Sequence, residues 1–85
     1  MKLSYSKNFI KQSKKLEPAL RVQLVRRILW FQANPLSPRL RNHRLPGPYK
    51  AYRSIDVSGD YRALYLCRDD EAIFDIVGSH SQLYG

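Results

Sequence analysis

An α+β fold is expected for this chain, with a helical hairpin packed on one face of an antiparallel sheet and elements in the order β-α-α-β-β-β. Three observations lead there. Two amphipathic stretches meet at Glu17-Pro18. Three runs rich in Tyr, Ile, Val and Phe follow, parted by short polar turns. A short strand-like segment, residues 2–5, precedes them all.

Residues 2–5 lead into Ser6, a good helix N-cap. Residues 6–16 then read as a helix, with Phe9, Ile10 and Leu16 apolar and Lys7, Lys11, Lys14 and Lys15 polar. Glu17-Pro18 breaks and restarts the chain, since proline suits a first helical turn. Residues 18–33 form the second helix: Leu20, Leu24, Ile28 and Phe31 recur at helical spacing, and Val25, Leu29 and Trp30 widen the stripe. Asn34-Pro35 ends it. Residues 35–48 hold four prolines, Arg39, Arg41, Arg44, His43 and Gly47, and read as a basic, structured loop. Strands are expected over residues 49–57, 61–68 and 72–77, turning at Ser58-Gly59-Asp60 and Asp69-Asp70-Glu71 to make an antiparallel meander. Helices on one sheet face leave the other face free for function.

The 85 residues make one small domain, residues 1–85, without internal repeats. Its 44% of apolar residues are spread periodically, which reads as globular rather than disordered. No apolar run approaches the roughly 18 residues of a membrane span, and Met1-Lys2-Leu3-Ser4-Tyr5 lacks a signal-peptide core. The single cysteine, Cys67, excludes an internal disulfide and reads as a buried, reduced thiol in a cytoplasmic protein. Fifteen Lys and Arg against seven Asp and Glu give a net charge of +8, which favours polyanionic partners. An acidic protein partner answers the same charge.

His43 and His80 lie far apart in sequence and Cys67 has no ligand-like spacing, so neither a metal nor another cofactor is expected. There is no phosphate-binding glycine loop and no Gly-x-Ser-x-Gly elbow. Ser79-His80-Ser81 resembles a triad only superficially, because strand neighbours point to opposite sides. What remains is His43, Asp60, His80, the arginines and Tyr84, placed before, between and after the meander strands. Such a set suits RNA cleavage, which needs a base for the 2′-hydroxyl, an acid for the 5′-oxygen and cations for the phosphorane. Arg53 and Arg62 suit the phosphate, and Tyr49, Tyr52, Tyr61 and Tyr84 offer stacking surfaces. Each also has a plainer reading: His43 and the arginines as solvated residues, Asp60 as a turn residue, the tyrosines as strand formers.

The segments His43-Arg44-Leu45-Pro46-Gly47, Tyr52-Arg53, Gly59-Asp60-Tyr61-Arg62-Ala63-Leu64-Tyr65 and Gly78-Ser79-His80-Ser81-Gln82-Leu83-Tyr84-Gly85 carry a resemblance. Across nearly its whole length the chain resembles the RelE/ParE superfamily of type II toxins, most closely the YafQ-like branch. The resemblance implies a RelE-like fold and a ribosome-dependent endoribonuclease that cuts mRNA in the decoding site, without metal, to a 2′,3′-cyclic phosphate. It implies a cognate acidic antitoxin and a toxin–antitoxin hetero-oligomer. His80 matches the main catalytic histidine, His43 and Asp60 match further site residues, and Tyr84 matches the aromatic near the terminus. Asp56 stands where YafQ-like proteins tend to have a second histidine, and Arg62 is typical of the RelE-like branch, where it stabilises the transition state. On the same fold, a ParE-like toxin inhibits DNA gyrase and cleaves nothing, and an inactive relative keeps only antitoxin binding.

Overall fold

A computed structural model describes residues 1–84. The chain runs β1 (Lys2–Tyr5), α1 (Lys7–Lys14), α2 (Pro18–Ala33), β2 (His43–Arg44), β3 (Tyr52–Asp56), β4 (Tyr61–Arg68), β5 (Glu71–Ser79) and α3 (His80–Tyr84), with 3₁₀ turns at Pro38–Leu40 and Gly47–Tyr49. The Ser6 hydroxyl caps α1 by accepting the Phe9 N–H at 3.0 Å. Pro18 opens α2, and the Asn34 N–H closes it on the Trp30 carbonyl.

Five strands form one sheet in the order β1-β5-β4-β3-β2. β3, β4 and β5 pair antiparallel as expected and β2 adds antiparallel to β3, but β1 pairs with β5 in parallel, so the sheet is mixed. The helical hairpin carries the chain across the sheet to its far edge. The meander then walks back until β5 lies beside β1, Lys2 opposite Glu71. β2 is a fifth strand inside the basic loop, and its two residues are too short to show alternation.

α1 and α2 cover one face. Phe74 of β5 is fully buried at its centre, with the rings of Tyr5, Phe9, Phe31 and Tyr65 at centroid distances of 5.3–6.0 Å. From α2, Leu24 and Phe31 enter this core, whereas Val25 and Leu29 are more than half exposed. The α2 stripe is therefore narrower than its apolar content suggests. Its outer edge and α1 instead line an apolar groove of about 420 Å³, with Ile10 and Leu29 in its walls and Lys14 and Arg21 at its rim. Cys67 is exposed, not buried. It shares the helix-side face with buried Tyr65 two residues earlier, and the helical cover stops between them. Among the described residues, no helix is long and apolar enough to cross a membrane.

The end of the chain departs most from expectation. β5 runs on to Ser79, and His80–Tyr84 turns into a short helix rather than a polar tail; Gly85 lies outside the described residues. Ser79 and Gln82 form a reciprocal capping box. The Ser79 N–H donates to Gln82 Oε1 at 2.8 Å, and the Gln82 N–H donates to Ser79 Oγ at 3.2 Å. Gly78 leaves room for this turn, since a Cβ there would sit 3.1 Å from Gln82 Oε1.

Candidate active site

Strand alternation sorts the candidate residues onto two faces. Ile55 and Val57 point into the helix-covered core, so Ser54 and Asp56 point to the open face. Asp56 pairs with Arg62 across β3 and β4, and Ser54 pairs with His43 across β3 and β2. α3 adds His80 and Tyr84, four residues apart and so on one side of the helix. Together with Arg41 these residues line a cleft of about 350 Å³.

The charges in the cleft are tightly tied. Arg62 Nε lies 3.1 Å from one Asp56 oxygen, and Arg41 Nε lies 3.6 Å from the other. Arg62 Nη1 also donates to the carbonyls of Ser58 (2.9 Å) and Tyr61 (3.0 Å), which fixes the guanidinium plane. Two cations flank one carboxylate, so Asp56 leaves the cleft positive and acts as a brace for both arginines. These are the only ion pairs among the described residues.

His43 Nδ1 donates to the Arg41 carbonyl at 2.7 Å, which leaves Nε2 of the neutral ring as a proton acceptor. The His80 backbone N–H donates to the Asp60 carbonyl at 2.8 Å, anchoring the helix start to the β3–β4 turn. Its exposed ring stands edge-on to Tyr84 with centroids 4.8 Å apart. Tyr49 continues this aromatic wall. Its ring packs edge-to-face on Tyr84 at 5.7 Å and on Tyr52 at 6.0 Å, and its hydroxyl donates to the Leu83 carbonyl at 3.0 Å. Burial pushes the Tyr84 phenol up, and nearby Arg62 pulls the other way. The Tyr52 phenol donates to Asp75 Oδ2 at 2.6 Å, and this bond, with burial, pushes it up to about 12.

Tyr49 and Tyr52 stand behind Tyr84 rather than in the cleft lining, and three further expected residues lie apart from both. Arg53 alternates to the helix-side face, where its Nε donates to Asn42 Oδ1 at 2.8 Å. Asn42 in turn donates to the Tyr65 hydroxyl and the Pro35 carbonyl, so Arg53 fastens the basic loop. The Asp60 carboxylate is exposed in its turn and does not line the cleft; its carbonyl holds His80. Tyr61 packs against the core on the covered face.

Two cleft residues were not singled out from sequence. Ser54 is fully buried and its Oγ has no hydrogen-bond partner, leaving a hydroxyl at the cleft floor. Counting two back from Asp56 along one strand face would have found it. Arg41 has φ 49, a left-handed backbone that costs a non-glycine residue roughly 1–2 kcal/mol. No local sequence signal marks that strain. Among the described residues, no three His, Cys, Asp or Glu side chains gather closely enough to hold a metal ion.

Known proteins share this architecture. The family model described as "Bacterial toxin of type II toxin-antitoxin system, YafQ" matches residues 1–85. Among curated proteins nothing matches significantly. Among solved structures, the fold is similar to YafQ from E. coli strain BL21(DE3), 24% identical, with a TM-score of 0.72 over 98% of this chain and 97% of that one. It is also similar to a chain of the E. coli DinJ–YafQ complex, 25% identical, TM-score 0.69, covering 98% and 97%. A chain of the Methanococcus jannaschii RelB–RelE antitoxin–toxin complex is 26% identical, TM-score 0.77, covering 95% and 94%. With the family model matching the whole of its length and the fold in agreement, the chain belongs to the YafQ family of bacterial type II toxin–antitoxin toxins.

Proposed function

We propose that this toxin is a metal-independent endoribonuclease that cuts mRNA in the decoding site of the ribosome, in the cytoplasm. The observation that carries this reading is the meeting of His43 and His80 in one cleft with Arg41, Arg62 and an aromatic wall. In the reaction, the 2′-oxygen attacks the adjacent phosphorus and the P–O5′ bond breaks. A 2′,3′-cyclic phosphate and a 5′-hydroxyl result. His43, with Nε2 open, takes the 2′-hydroxyl proton, and His80 gives a proton to O5′. Arg62, already oriented by Asp56, Ser58 and Tyr61, stabilises the charge that builds on the phosphorane. Tyr84 gives an unpaired base a stacking surface beside His80.

The test is addition of the purified chain to translating ribosomes on a reporter mRNA, read by primer extension and end-group analysis. Cuts within the decoding site bearing cyclic phosphate ends are expected. Uncut mRNA together with inhibited gyrase supercoiling would replace this reading with a ParE-like one.

A cognate acidic antitoxin is the second partner proposed. The apolar groove between α1 and α2, rimmed by Lys14 and Arg21, suits an amphipathic acidic segment. Leu29 is 59% exposed in its wall. Leu29→Glu is expected to weaken antitoxin binding at least about tenfold by losing apolar burial and adding like charge. Calorimetry of the pair should show this while mRNA cutting stays unchanged; equal affinity would move the antitoxin off this groove.

A further inference from the structure

The basic charge is not evenly matched along the chain: Glu17 is the only acidic residue before Asp56. Within that stretch, α2 and the turn after it build an ordered arginine cluster outside the cleft. Arg27 Cζ lies 4.2 Å from the centroid of the Trp30 ring, and Arg39 Cζ lies 3.9 Å from it. Both guanidiniums pack against the one indole ring. Cation–π attraction therefore holds both cations in place without a carboxylate. Neither makes an ion pair among the described residues.

The cluster is continuous with the cleft. Leu40, fully buried, pins the turn between Arg39 and Arg41, and Arg41 is itself a cleft residue. From the other side, Arg27 feels the field of Asp56. Arg27 is also less basic than usual, through burial first and then repulsion from Arg26 and Arg39, as expected where cations gather without a counter-charge. Planar guanidiniums that stay charged and present fixed edges match phosphodiester oxygens better than solvated lysines do.

We propose that Arg27, Trp30 and Arg39 form a phosphodiester-binding ridge that continues the cleft and holds the backbone of single-stranded RNA beyond the scissile phosphate. This rests on the ribonuclease reading for its choice of RNA. Trp30 acts as the spacer and the two arginines as the phosphate contacts.

The test uses the full chain and a labelled 2′-O-methyl RNA, which has no free 2′-hydroxyl and cannot be cut. Binding is followed by fluorescence anisotropy across a salt series. Arg27→Ala and Arg39→Ala should each make the slope of log K against log salt shallower by about 0.7, the value for one phosphate contact on a single strand. Arg39→Lys should keep most of the slope, and circular dichroism should show every variant folded. Lys2→Ala, on the edge strand β1 away from the cleft, should leave the slope as in the wild type. Because the probe is uncuttable, the slope reads the ridge and the mRNA assay reads the chemistry, so either can fail without the other. The ridge is overturned if both arginine variants keep the wild-type slope, or if the wild type does not bind the oligomer. It is overturned equally if the variants lose a polyglutamate peptide instead of RNA, which would make this surface a protein-docking site.

Discussion

His80→Ala is expected to slow single-turnover cleavage of ribosome-bound mRNA by about 10²–10⁴-fold, the usual range for one positioned proton donor. At 1.36 kcal/mol per decade this is about 3–5 kcal/mol of barrier. The loss belongs to chemistry because His80 contributes little to the fold. Its ring is exposed and meets Tyr84 edge-on, and its link to the sheet runs through the backbone N–H, which alanine keeps. Thermal unfolding of His80→Ala should therefore stay close to wild type, within the roughly 0.5 kcal/mol typical of surface changes. A variant that unfolds and loses activity in parallel would reassign His80 to structure.

Phe74→Ala should have the largest effect on stability, about 3–5 kcal/mol in urea unfolding. Phe74 is fully buried and is the ring on which β1, α1, α2 and β4 converge through Tyr5, Phe9, Phe31 and Tyr65. Removing it leaves a cavity bounded by four aromatic rings held by separate elements, which cannot all close inward together. Small domains have about 5–15 kcal/mol in total, so the variant should sit near its unfolding midpoint at modest urea. A loss under about 1 kcal/mol would mean that the core is centred elsewhere.

Local chemistry explains which elements were legible in the sequence. Ser6, Pro18 and Asn34-Pro35 punctuate the helices, and Gly59-Asp60 and Asp69-Asp70 punctuate the meander, because capping and turn formation act over a few residues. The parallel pairing of β1 with β5 joins the two ends of the chain and has no local mark. α3 did have one, the Ser79-x-x-Gln82 capping box, but a five-residue helix is too short to show periodicity beside it. Of the candidate site, His43, His80, Arg62, Asp56 and Tyr84 were named from sequence, and they line one cleft. Arg53 was grouped with Arg62 because β3 and β4 carry polar and aromatic residues on both faces, so composition does not reveal which face is open. The cross-strand register settles that: Arg53 lies opposite buried Tyr65, and Arg62 lies opposite Asp56.

Wild type and His80→Ala expressed in growing bacteria, with growth followed beside primer extension on a reporter mRNA, test the central claim most directly. Arrest with cuts in the message is expected for the wild type, and neither for His80→Ala at equal protein level. Arrest that persists undiminished in His80→Ala, with intact message in both cultures, would contradict a ribonuclease centred on His80.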